Sequence, residues 1–177
     1  DYSRGAAGFE ARWGNDINSD AGLLWWLGFG EFTLGRYDDA ITSFGRSVAK
    51  FPAYANAHWY IGLSHYFRGK EYDELAAASF RRFAEADVAG FAAMVNSSDQ
   101  NKAFPGRVLG RLYGDQKLEA AADLSEVRLM ADETDPLLWN DVGLMNRDAG
   151  EQLMRRKAEG WKERSDRYFE RSWEAYQ

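Results

Sequence analysis

The chain has 177 residues, 22 Lys plus Arg against 28 Asp plus Glu, and a net charge of -6. That balance gives no bulk positive field for holding a nucleic-acid backbone. Hydrophobic residues make up 45% and aromatics 15%, enough for a packed core, and the absence of Cys removes disulfides, thiolate nucleophiles and Cys-based zinc sites.

Long intervals rich in Ala, Leu, Glu, Arg and aromatics separate only three prolines, Pro52, Pro105 and Pro136. They predict helices over about 20–34, 37–50, 54–68, 71–87, 104–113, 117–132, 137–149 and 151–176, with a short one near 5–13. No alternating β-branched run predicts a strand. Turn chemistry falls at Gly35-Arg36, Phe51-Pro52, Arg68-Gly69-Lys70, Gly114-Asp115 and Asp135-Pro136. The polar stretch 96–102 is the expected loop. No run reaches the length of apolar sequence that a membrane span needs. Asp1 stands where a Met would open a full chain, and the last predicted helix runs to the end. The chain is therefore expected to be a processed piece or fragment, with further repeats beyond Gln177, and its compartment is unknown.

Helix pairs with short turns call for a search for an internal period. Leu27-Gly28 and Ile61-Gly62 are 34 residues apart, and so are Gly35 and Gly69. The first unit continues with Tyr37, Ala40, Phe44 and Pro52. The second keeps His58, Ile61, Gly62, Tyr66 and Gly69, then Tyr72, Ala76 and Phe80 displaced by one or two positions. Leu109-Gly110-Arg111-Leu112-Tyr113 echoes the core in a shortened helix. Trp139, Val142-Gly143 and Gly150 begin a last unit, in which Phe169 falls late. A glycine without Cβ lets paired helices approach, Gly35 and Gly69 suit a left-handed helix end, and Pro52 stops the second helix.

This pattern resembles the tetratricopeptide repeat (TPR). The resemblance implies an all-α fold of stacked antiparallel helix pairs in a right-handed superhelix. The expected division is 1–19 as an N-terminal extension, 20–87 as two TPR units and 88–103 as a non-repeat insertion. A degenerate pair would follow over 104–135, and a unit with an extended second helix over 136–177. TPR arrays are mostly interaction modules that hold a peptide or helix against the first helices of each pair. Carried onto this chain, the groove-facing positions are Trp25, Phe29 and Phe32, then Asn56, Trp59, Leu63, Tyr66 and Phe67, then Asn140, Leu144 and Arg147. TPR domains that clamp a C-terminal carboxylate carry Lys, Asn and Arg at such positions. Here aromatics dominate and no Lys is present, so the expected partner is an apolar helix or peptide, with Trp and Tyr as anchors. The competing expectation is that these aromatics are core. The alternative function is a self-assembling scaffold or a regulatory domain of a larger protein.

Catalytic constellations are sparse, and no enzyme activity, cofactor or metal is expected. His58 and His65 lie seven residues apart in slots that the repeat fills with core aromatics. Gly28-Phe29-Gly30 follows no strand, so it is no dinucleotide fingerprint. Asp38-Asp39, and Asp16 with Asp20, read as helix-start residues. Residues 151–177 mix seven Lys/Arg with six Asp/Glu, the pattern of a solvated helix face rather than a nucleic-acid stripe. Asn96-Ser97-Ser98 matches a glycosylation sequon, meaningful only in a eukaryotic secretory protein.

Overall fold

The computed structural model describes residues 20–157 and 159–177. The expected extension over 1–19 and its helix near 5–13 lie outside the described residues. Among those described there are nine α-helices and no strand. The chain divides into two compact units between Phe91 and Ala92.

The first unit holds α1 (Ala21–Thr33), α2 (Tyr37–Lys50), α3 (Ala57–Arg68), a 3-10 turn (Lys70–Tyr72) and α4 (Asp73–Ala86). Asp20 caps α1, its carboxylate accepting the amides of Gly22 and Leu23 at 2.7 and 3.2 Å. At the other end Gly35 adopts φ 75°, and the Arg36 and Gly35 amides return to the carbonyls of Glu31 and Phe32. This is the glycine-terminated stop that the sequence predicts. In α2 the buried residues Ala40, Ser43, Phe44 and Ser47 follow helical spacing. Ser47 donates its hydroxyl to the Ala21 carbonyl at 2.7 Å, tying the pair together.

Consecutive helices pack from α1 to α4, and α1 also meets α3. The two Leu/Ile-Gly dipeptides explain how closely the pairs approach. A Cβ at Gly28 would stand 3.0 Å from the Phe44 ring, and one at Gly62 2.7 Å from the Phe80 ring. A core of Ala40, Phe44, Ala57 and Ile61 is covered by Trp25, Phe29, Phe32, Ile41, Val48 and Tyr60.

The segment expected as an insertion is helical. α5 (Val88–Asn96) straddles the division, and α6 (Asp99–Gly114) begins after Ser97-Ser98. Hydrogen bonding turns most of the predicted loop into helix. Ser98 caps α6 by accepting the Asn101 amide at 3.1 Å, and Asn101 donates to the Met94 carbonyl and the Ser97 hydroxyl. Pro105 lies inside α6 rather than near its start. It removes one amide donor, that for the Asn101 carbonyl.

In the second unit α6 packs on α7 (Leu118–Ala131), α7 on α8 (Pro136–Arg156) and α8 on α9 (Trp161–Ala175). Gln116 takes the left-handed place of Gly35, with φ 60°, and the Lys117 amide returns to the Leu112 carbonyl at 2.9 Å. Asp135 and Pro136 open α8 as cap and first residue.

The predicted break at Gly150 is absent. α8 runs 21 residues to Arg156, and the turn is made by Lys157 (φ 49°) and Gly160 (φ 67°). The first helix of this pair is therefore the long one, and α9 has 15 residues. Gly150 is a packing glycine: a Cβ there would lie 3.0 Å from the Phe169 ring. It stands seven residues before the left-handed Lys157, as Gly28 does before Gly35 and Gly62 before Gly69.

Candidate interaction surface

In the first unit, α1 and α3 build a row of aromatic rings. Trp25 stacks on Phe29 with centroids 5.6 Å apart and a 7° tilt. Tyr60 on α3 meets Trp25, Phe29, Phe32 and Phe44 at 5.3–5.6 Å. The row continues from Phe32 to Phe67 at 6.0 Å, and Phe67 stacks on Tyr37 at 5.6 Å. Tyr66 edges onto Phe67 at 5.2 Å. At the other end Trp26 leans on Trp25 at 5.2 Å and is 61% exposed. Offset and edge-on geometry of this kind adds to the burial energy of the rings.

The predicted groove residues thus separate. Trp25, Phe29, Phe32 and Tyr66 are half-buried, and Phe67 is 43% exposed. Trp59 and Leu63 belong to the core rather than to a surface. Trp59 is 1% exposed, wedged against Phe80 and Phe91 at 5.0 and 6.3 Å. Asn56 is half-buried, and its Oδ1, like Trp25 Nε1, is buried without a hydrogen-bond partner. Sequence reasoning missed Trp26 and Tyr60. The neighbouring tryptophan signal at 25–26 and the direct adjacency of Tyr60 to Trp59 were the available clues.

The second unit carries different chemistry on the corresponding helices. Asn140 and Arg147 are exposed on α8, Arg147 pairing with Asp148 at 2.8 Å, and Leu144 is half-buried. A cleft of about 430 Å³ is lined by Tyr113, Gln116, Asp148, Glu151, Gln152 and Arg155, among others. Tyr113 donates to Asp148 at 2.5 Å, which holds the phenol above its usual range, with burial adding to the shift. Gln152 donates to the Gln116 carbonyl at 2.9 Å, and Arg155 pairs with Glu151 at 2.7 Å. These lining groups satisfy one another.

Neither histidine joins a metal cluster; no group of three or more potential ligands exists among the described residues. His65 is buried and faces Tyr72, whereas His58 is half-buried. No helix among the described residues is long and apolar enough to cross a membrane.

The crystal structure of MamA, a TPR protein, matches 99% of this chain and 89% of that chain, at 15% identity and a TM-score of 0.54. The fold is TPR-like. No protein-family model matches the chain, and no curated protein does so. The likeness at this identity concerns architecture: an all-α series of sequentially packed helices, as the repeat in the sequence predicted.

Proposed function

We propose that the chain is a non-enzymatic interaction module that holds an apolar peptide or helical segment of a protein partner. The aromatic row of the first unit is the docking face. A TPR-like fold implies protein partners in general, and a fold alone names no activity. The observation that carries the finer reading is Trp26, 61% exposed and seated on the Trp25–Phe29 stack, with Phe67 exposed at the other end of the same row. Rigid exposed aromatics on a preformed support are the usual anchors of an interface. Trp25, Phe29, Phe32 and Tyr66, all half-buried, lie between them in the same row.

The test is selection of peptides from a random display library on the immobilised chain, followed by titration against wild type, Trp26→Ala and Phe67→Ala. Selected peptides should share apolar anchors and lose at least about tenfold in affinity for Trp26→Ala, with the helical circular dichroism unchanged. Selection of charged peptides, or equal affinity for both variants, would remove the aromatic row from the reading.

A second reading, self-association, has its own observation. Leu137 is 71% exposed and Trp173 69% exposed on the last helix pair. Sedimentation velocity over a hundredfold concentration range checks it. A species that grows with concentration in wild type and vanishes in Trp173→Ser would favour a scaffold.

A further inference from the structure

His65 lies on the last turn of α3, where four groups from three elements meet. Its Nδ1 faces the Arg68 guanidinium at 3.5 Å, a place suited to an unprotonated ring nitrogen. Its ring lies against Tyr72 of the 3-10 turn, with centroids 6.2 Å apart and a 23° tilt. Arg68 stacks over that same Tyr72 at 3.8 Å. It also reaches to α2, pairing with Asp38 at 3.0 Å. Arg68 therefore clamps the α3–α4 turn with its face and tethers α2 with its edge. Gly69, at φ 140°, gives that turn a backbone that other residues adopt only under strain.

We propose that this His65–Arg68–Tyr72–Asp38 cluster is a pH-responsive latch, in which protonation of His65 displaces Arg68 and loosens both the α3–α4 turn and the α2–α3 tether. A second cation at 3.5 Å from the guanidinium repels it, most strongly at the buried His65 end, whereas the Asp38 end of the tether is 77% exposed and screened by water. The charges that act on His65 are Arg68 from its own helix and Asp38 from α2. Two further buried carboxylates belong to the neighbouring helices, Glu31 on α1 and Asp73 at the start of α4. Burial, then Arg68, holds the imidazole below its ordinary range, and Asp38 opposes them. A base with a depressed folded pKa stabilises the fold above its unfolded value, about 6.5, and loses that contribution as pH falls below it. His58, half-buried and lowered by burial and then by Arg82, acts in the same direction but stands outside the cluster.

The latch borders Phe67 and Tyr37 in the chain, yet it stands whether or not the aromatic row binds a partner. Amide hydrogen exchange of the whole chain at pH 7.5, 6.5 and 5.5, corrected for intrinsic exchange, tests it. Wild type should open locally at the hydrogen-bonded amides of residues 66–68, Tyr72 and Ala40, by up to about tenfold for each pH unit below 6.5. His65→Phe, which keeps a ring and cannot be protonated, should abolish that dependence, and His58→Phe should keep it. The same dependence in His65→Phe, or an even rise across α1 to α4, would overturn the latch. Should His65→Phe fail to fold, imidazole titration by NMR replaces it. Arg68→Gln should then raise the His65 midpoint, and an unchanged midpoint would overturn the proposal equally.

Discussion

Both units bury an apolar core, but the side chains that cross between their helices differ. In the first, side chains at the helix contacts are aromatic, and Tyr60 alone meets four rings. In the second, α7 offers Glu119, Asp123 and Glu126, while α9 answers with Arg164, Tyr168 and Arg171. Arg164 pairs with Glu119, Tyr168 donates to Asp123 at 3.3 Å, and Arg171 pairs with Glu126 at 3.0 Å. Each partner lies 45 residues from the other, so the two helices run parallel and in register. Tyr168 is buried beneath this ladder, and burial, helped by Asp123, pushes its phenol up to about 12. The comparison teaches that one helical scaffold accepts two kinds of glue. Where rings supply the cohesion, apolar surface is left over at the edge, as at Trp26. Where charges line the contact, as between α7 and α9, they pair with one another, although Leu137 and Trp173 stay exposed elsewhere in that unit.

The largest break in this comparison is Phe44→Ala. Its fully buried ring fills the gap over Gly28 and touches Trp25 and Tyr60. Truncation should cost about 3–5 kcal/mol. Urea unfolding followed by tryptophan fluorescence measures the loss. Hydrogen exchange should show it concentrated in α1–α3, with α7–α9 protected as before.

A pair of glycine substitutions sharpens the register of the second unit. Gly150→Ala places a Cβ against Phe169 and should destabilise by about 1–3 kcal/mol. At Gly110 a Cβ would meet nothing within 4 Å, so Gly110→Ala should stabilise by about 0.5–1 kcal/mol. Thermal melts of the two variants should move in opposite directions. Had Gly110 been the equivalent of Gly28, both would fall.

These glycines also show what the sequence disclosed. The first unit was legible because all its signals agree: Gly28 against Phe44, Gly35 at the turn, Ala40 at helical spacing. The last unit misled because Gly143 and Gly150 lie seven residues apart, and a helix returns to within about 20° of the same face after seven. Both therefore satisfy the Leu-Gly position, and only the turn at Lys157 decides between them. Arg147 keeps the slot of Trp25, three residues before the packing glycine, whereas Asn140 falls one heptad too early. The helical identity of most of 96–102 was hidden by polar residues whose side chains cap α6 and bond the preceding turn. Trp59 and Tyr60 were hard to rank because adjacent helix positions differ by about 100°, and core and rim both select aromatics.

Gln116→Gly probes the turn of the α6–α7 pair. Gln116 holds φ 60° with the bonding pattern that Gly35 makes in the first unit. Relieving a non-glycine residue of that conformation should gain about 1 kcal/mol. Its side chain donates only to the nearby Tyr113 carbonyl, at 3.5 Å, so little is lost with it. A rise in urea midpoint with unchanged slope is the expected outcome.

The smallest effect isolates the glue itself. Arg171 is about one-third exposed and shares its charge between Glu126 at 3.0 Å and Asp123 at 4.0 Å. Water and salt reach such a pair, so Arg171→Gln should cost only about 0.5–1 kcal/mol in dilute buffer. The informative quantity is its salt dependence. Screening over about 8 Å at 0.15 M and about 3 Å at 1 M should shrink the difference between wild type and variant as salt rises. Phe44→Ala should show no such convergence, because burial of a ring is not screened. A deficit in Arg171→Gln that persists at 1 M salt would mean that its aliphatic stem matters more than its charge. The two units would then differ in side-chain type but not in the physical origin of their cohesion.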